Sequence, residues 1–250
     1  MKSKDSSIFI FAGAGISQES GLSTFRDNGG LWEKYDVMKI CNFTKFLNDI
    51  NSDDGGREDM FEFYNMRKRE IIKARPNDAH FKIAEWQSKY GDDRVHVVTS
   101  NIDDLFEKAG VKNVTHVHGE TSHMMCAACD HRWFISDDDF DPNAECPECG
   151  SNATKPNVVF FGEGAPEYRT MANRFSPAHR KDSDLLFYVG SSMSVVPPNR
   201  VFYSMYGKNP GFKILVDLNA HELSQQIPMF DFVIEDTAVN AFNAFNGFNF

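Results

Sequence analysis

Four short runs of the chain are apolar almost without interruption: Ile8–Phe11, Val95–Thr99, Leu185–Val189 and Lys213–Val216. A strand with one face in water alternates apolar and polar side chains, so an unbroken run of this length marks a strand covered on both faces. Between the runs lie stretches with helical content, among them Met60–Lys73 and Asn77–Lys89. Buried strands separated by helices assemble into a parallel sheet with helices on each side. The expected fold class is therefore α/β, a Rossmann-like, doubly wound parallel sheet. At 250 residues, 41% hydrophobic and 25% charged, the chain can bury one large core with a small lobe grafted on, rather than two equal domains.

Charge and termini narrow the class further. A formal net charge of −10 argues against a polyanion-binding surface, which needs a basic stripe to release counterions, so no nucleic-acid partner is expected. Met1–Ser7 is polar, and the run after it, Ile8–Ala14, leads into a glycine turn instead of a cleavage site. No run approaches the ~18–20 apolar residues that cross a bilayer. The expectation is a cytoplasmic, monomeric protein without a membrane partner. Asn51–Arg57 reads as a loop, and Asn240–Phe250 as the fraying end of a last helix.

Four of the five cysteines form two Cys-x-x-Cys pairs, Cys126/Cys129 and Cys146/Cys149, sixteen residues apart. In a reducing compartment this spacing favours metal over disulfide. Four thiolates complete the tetrahedron of Zn²⁺ and leave no place for water, so the ion would hold a lobe together and not catalyse.

Strand Ile8–Phe11 runs into Gly13-Ala14-Gly15-Ile16-Ser17. Glycines at such a turn allow a diphosphate to approach the backbone, although the pattern also suits a plain tight turn. Thr99-Ser100-Asn101-Ile102-Asp103-Asp104-Leu105 follows the second strand. Its amide and carboxylate could read a carboxamide, or an Asn or Asp there could simply cap a helix. His118-Gly119-Glu120 comes after a short strand pattern at Val114–Val117. With Ser20–Arg26, Gly29-Gly30-Leu31-Trp32, Lys155–Glu163, Gly190–Val195 and Leu218-Asn219, these blocks resemble the sirtuin (Sir2) family in order and over nearly the whole chain.

That resemblance implies an NAD-dependent protein-lysine deacylase that consumes NAD, releases nicotinamide and passes the acyl group to ADP-ribose. It implies NAD contacts at Gly13, Ala14, Gly15, Ile16, Thr24, Phe25, Arg26 and Trp32, at Ser100, Asn101, Ile102 and Asp103, and at Gly190, Ser191, Ser192 and Asn219. Ser100 stands where the family has Gln, a shorter reach toward the ribose. His118 is the implied general base, with a pKa near ~6.5 before perturbation; Asn101 orders water or ribose and Asp103 holds the carboxamide. Val159, Phe160, Phe161, Gly162 and Glu163 are the implied edge against which an acyl-lysine peptide pairs as an added strand. The layout would be a core of about 1–31, 77–118 and 156–250, a helical insertion of about 32–76, and a zinc lobe of about 119–155.

Tyr64 and Arg67 are i and i+3 on a helix, share a face and could converge on one carboxylate; alternatively, Arg67 pairs with Glu70 or Glu62 while Tyr64 packs. The stretch resembles the Tyr-x-x-Arg of class III sirtuins, which implies succinyl and malonyl groups as substrates beside acetyl. Cys41 falls near the position that lines the acyl pocket in those enzymes. Two alternatives share these features: an NAD glycohydrolase or ADP-ribosyltransferase on the same fold, and a zinc-ribbon nucleic-acid module.

Overall fold

The computed structural model describes residues 6–24, 36–50, 56–202 and 211–245. Strands β1 (Ile8–Ala12) and β2 (Val95–Thr99) pair in parallel, and every residue of β1 is buried. Next along the chain come β3 (Thr115–His116), β4 (Gly119–Cys126), β5 (Arg132–Phe134) and β6 (Thr154–Val158), then β7 (Leu185–Val189), β8 (Phe212–Asp217) and β9 (Phe232–Glu235). Six of these form one parallel sheet in the order β3-β2-β1-β7-β8-β9. The chain winds outward from β1 to one edge, then from β7 to the other, which is the doubly wound arrangement expected.

Apolar side chains leave this sheet on both faces, and that is why the runs do not alternate. Ile8, Ile10, Val95, Val97, Phe187 and Val189 pack with Trp86 and Phe242 on one side. Phe9, Phe11, Leu186, Tyr188 and Leu215 pack with Phe175 and Phe202 on the other. Fully burying a side chain of this size contributes roughly 1.5–3 kcal/mol, so the two faces carry the stability of the core.

The helices are α1 (Val37–Ile40), α2 (Phe43–Asp49), α3 (Gly56–Lys73), α4 (Asp78–Tyr90), α5 (Leu105–Lys108), α6 (Glu167–Arg174), α7 (Pro198–Phe202), α8 (Ala220–Gln226) and α9 (Ala238–Ala244). Local chemistry sets several starts. The Asn42 side chain accepts from Lys45 N at 2.9 Å to open α2, and Asn77 and His80 form a capping box for α4. Phe242 of α9 is fully buried, so the last helix closes the core.

Strands β4, β5 and β6 form a separate three-stranded antiparallel sheet. Helix α3 docks against it: Asn65 Nδ2 donates to the Phe140 carbonyl at 3.0 Å, and its side-chain oxygen accepts from Phe140 N at 2.6 Å. The apolar cluster here, with Val37, Phe46, Phe61, Tyr64, Phe140 and Phe160, joins α1, α2 and α3 to this sheet and the segments around it.

Strand β6 ends at Val158, and the Val159–Glu163 segment beyond it forms an isolated bridge, Asn42 to Phe161. Strand β9 (Phe-Val-Ile-Glu), at the sheet's outer edge with two of its four residues exposed, is a further strand beyond the four apolar runs. Among the described residues no helix is long and apolar enough to cross a membrane.

Candidate functional site

The strand order reverses between β1 and β7, and such a switch point opens a crevice outside the carboxyl ends of the strands. A cleft of about 670 Å³ lies there. The loops after β1 and β7 cross at very close range. Gly13 N donates to the Val189 carbonyl and Gly15 N to that of Gly190, each at 2.8 Å. A Cβ on Gly13 would lie 2.6 Å from the Gly190 oxygen, and one on Gly15 2.7 Å from Gly190 Cα. The glycines are thus required by the crossing itself.

One expected feature of this loop is altered. A 3₁₀ helix, Ala14–Ser20, follows it, and the N–H groups of Gly15 and Ile16 already bond to the carbonyls of Gly190 and Gly13. Ile16 is wholly buried and packs in the core, so its side chain is not a wall of the cleft. Gly13, Ala14, Gly15 and Thr24 do line the cleft, as do Gly190, Ser191, Ser192 and Asn219 opposite. Phe25, Arg26 and Trp32 lie outside the described residues.

Residues Ser100, Asn101, Ile102 and Asp103 form the turn between β2 and α5 and line the same cleft. Ser17 ties it to the glycine loop: Asn101 Nδ2 donates to Ser17 Oγ at 3.2 Å, and Ser17 Oγ donates to Asp103 Oδ2 at 3.0 Å. The other Asp103 oxygen accepts from Leu105 N at 3.2 Å, so the capping role and a site role coexist. Burial raises the Asp103 pKa, and the bonds from Leu105 and Ser17 oppose that rise.

His118 follows β3, lines the same cleft and sits beside this turn, in contact with its Ser100 backbone. Burial lowers its pKa, against a hydrogen bond to the Ser100 backbone. Since that carbonyl accepts a ring N–H, the other nitrogen, Nε2, is the lone-pair nitrogen. Tyr168 Oη, 2.8 Å away, donates to it. Arg200 stands 5.1 Å over the Tyr168 ring. The neutral form of His118 is therefore favoured, with its basic nitrogen, Nε2, engaged by Tyr168, the protonation state a proton acceptor needs.

The cleft is also lined by Val37, Cys41, Phe63, Tyr64, Arg67, Phe160 and Phe161. Tyr64 stacks on Phe160 at 5.6 Å with an 11° tilt, and its hydroxyl donates to Cys41 Sγ at 3.2 Å. Burial pushes the Cys41 thiol up to about 11, so it stays protonated. Arg67 is buried, pairs with Glu70, and donates to the Ser23 carbonyl at 3.3 Å. Of the two alternatives for these residues the structure shows the second: Arg67 pairs with Glu70 while Tyr64 packs on Phe160, although both side chains line one cleft. Behind Phe160, Lys155 is fully buried; its Nζ donates to the Val158 carbonyl at 2.6 Å and pairs with Glu163 at 3.1 Å. Glu163 also accepts from Phe160 N at 2.7 Å. This pair holds the Val159–Glu163 segment together with backbone bonds from Val159 N to the His118 carbonyl, from Phe161 N to the Cys41 carbonyl and from Phe43 N to the Phe161 carbonyl.

The four Sγ atoms of Cys126, Cys129, Cys146 and Cys149 lie within 4.8 Å of one another. Two opposite pairs, Cys126 with Cys149 and Cys129 with Cys146, stand 3.7 Å apart. A tetrahedron with Zn–S bonds of ~2.3 Å has edges of about 3.8 Å, so the donor set fits Zn²⁺ in type, number and size.

Sequence reasoning missed Ser17, Tyr168 and Arg200. Ser17 sits inside a quoted motif, but its tie to Asp103 spans 86 positions; Tyr168 is 50 residues from His118 and carries no local signal.

Comparison with known proteins agrees with this geometry. The model of the Sir2 family matches residues 13–197. An NAD-dependent protein deacylase of Helicobacter hepaticus is 38% identical over 226 residues, 84% of this chain and 85% of that protein. One from Pyrococcus furiosus is 36% identical over 241 residues, 94% and 90% of the two chains. A solved Sir2 homologue in complex with NAD superposes with a TM-score of 0.76 at 27% identity, covering 95% of this chain and 86% of the other. A mutant Sir2 homologue with ADP-ribose gives 0.77 at 28%, covering 95% and 89%.

Proposed function

The chain belongs to the Sir2 family and is an NAD-dependent protein deacylase, and we propose that the acyl groups it takes from lysine are preferentially acidic, succinyl and malonyl, with acetyl as a lesser substrate. The observation that carries this reading is a cation and a phenol, Arg67 and Tyr64, buried together in the wall of the cleft that also holds His118. A guanidinium in an apolar pocket is matched to a carboxylate at the end of a short acyl chain.

NAD supplies the ribose carbon that accepts the acyl oxygen and the nicotinamide that leaves. The chain's residues supply the rest. Gly13, Gly15 and Gly190 leave room for a diphosphate against the backbone at the loop crossing. Asp103 offers a carboxylate to the carboxamide N–H₂, and Asn101 orients ribose or water. His118 Nε2 takes the proton from a ribose hydroxyl as that oxygen attacks the acyl carbon, which its lowered pKa favours at neutral pH. The backbone of Val159–Glu163, held by Lys155, presents the edge for the acyl-lysine peptide. The Cys126/Cys129/Cys146/Cys149 zinc would keep β4, β5 and β6 folded behind that edge.

One peptide carrying acetyl, malonyl, succinyl or glutaryl lysine, incubated with NAD and followed by mass spectrometry, tests the preference. Faster removal of succinyl and malonyl than of acetyl is expected; an acetyl rate equal to or above both would overturn it.

A further inference from the structure

Behind the Ser100–Asp103 turn, β3 places His116 with both ring nitrogens engaged. Nδ1 lies 2.9 Å from the Asn101 backbone oxygen and Nε2 3.0 Å from a carboxylate oxygen of Glu107 on α5. Neutral imidazole has one N–H and can serve only one acceptor; serving two requires the imidazolium. Burial disfavours that charge, but the bond and charge of Glu107, the Asn101 carbonyl and Glu120 outweigh it and raise the pKa to about 9. His116 is not part of the cleft wall.

Its effect reaches the cleft through Asn101. The carbonyl of Asn101 is held by His116, its side chain donates to Ser17 Oγ, and Ser17 in turn donates to Asp103. Glu107, His116, Asn101, Ser17 and Asp103 thus form one connected chain. The positive ring also favours the ionised form of Asp103. We propose that His116, held by Glu107, is a positioning residue for the nicotinamide side of the cleft, fixing the Asn101 peptide so that the Asn101 and Asp103 side chains face NAD. This rests on the roles given above to Asn101 and Asp103.

The test compares wild type, Asp103→Asn, His116→Asn, His116→Gln and Glu107→Gln. In each, kcat, the KM values for NAD and acyl-peptide, inhibition by nicotinamide and Tm are measured. The amide of Asn reaches where Nδ1 sits and keeps a donor for the Asn101 carbonyl, whereas that of Gln reaches where Nε2 sits and loses it. A charge-assisted bond lost is worth about a tenfold effect or more. His116→Gln should therefore raise the NAD KM and weaken nicotinamide inhibition by roughly tenfold with the peptide KM unchanged, while His116→Asn stays close to wild type. Equal behaviour of the two variants, or NAD and peptide constants rising together as Tm falls, would mean that His116 only holds β3, and the proposal fails. Should His116→Gln not fold, Glu107→Gln decides. Glu107 is 43% exposed, and an unchanged NAD KM in that variant overturns the proposal. If Asp103→Asn moves neither NAD nor nicotinamide, the nicotinamide-side assignment itself falls, and the brace with it.

Discussion

Replacing Arg67 by Met tests the acyl pocket most sharply, because it keeps the length of the side chain and removes only the charge. Arg67 is 7% exposed and pairs with Glu70, which is 44% exposed. Losing one partner of a buried charged pair costs on the order of 2–5 kcal/mol. Here Glu70 returns to water when Arg67 is lost, and it competes with an incoming carboxylate while Arg67 is present. Both effects place the expected loss at the lower end, about 2 kcal/mol, or roughly 30-fold in kcat/KM at 1.4 kcal/mol per decade. The loss should fall on succinyl- and malonyl-lysine, since acetyl offers nothing to a guanidinium. The assay is kcat/KM for matched acetyl and succinyl peptides at saturating NAD, in wild type and Arg67→Met. Acetyl turnover should hold or improve as the pocket becomes more apolar. An equal fall on both substrates would refute the reasoning and make Arg67 a strut between α3 and the Ser23 carbonyl.

His118→Ala should reduce turnover by about 10²–10⁴-fold while NAD binding, followed by calorimetry, survives; near-normal product formation would remove His118 from the reaction. Because burial lowers its pKa, the acid limb of kcat/KM should lie below the ordinary histidine value of ~6.5. Tyr168→Phe removes a donor that favours neutral His118 and should move that limb upward by roughly 0.4–1 pH unit, the worth of one net hydrogen bond; an unmoved limb would show the Tyr168 contact to be idle. Replacing Cys126, Cys129, Cys146 or Cys149 by Ser should release zinc, read by metal analysis, with a fall in Tm, since structural zinc contributes folding energy outright. Wild-type protein without zinc, or a variant that retains it, would defeat the assignment.

What could be read from sequence divides along physical lines. The strands at the centre of the sheet were legible because burial on both faces writes an unbroken apolar run, and Val95–Thr99 and Leu185–Val189 match the structure to the residue. The edge strand Phe232–Glu235 was not, being only four residues long with both ends exposed. The zinc ligands were legible because metal geometry demands close pairs along the chain. The pocket around Tyr64 was half legible: helical spacing places Tyr64 and Arg67 on one face, but the partner of Tyr64, Cys41, is 23 positions away. The same limit explains Tyr168, whose contact with His118 arises only when α6 folds against the cleft. It also bears on the Val159–Glu163 segment, whose apolar run gives no hint of what holds it: the buried Lys155–Glu163 pair, and backbone bonds from Val159 N to His118, from Phe161 N to Cys41 and from Phe43 N to Phe161. Those backbone partners lie far along the chain, so the course of the segment is set by tertiary folding and not by its own pattern.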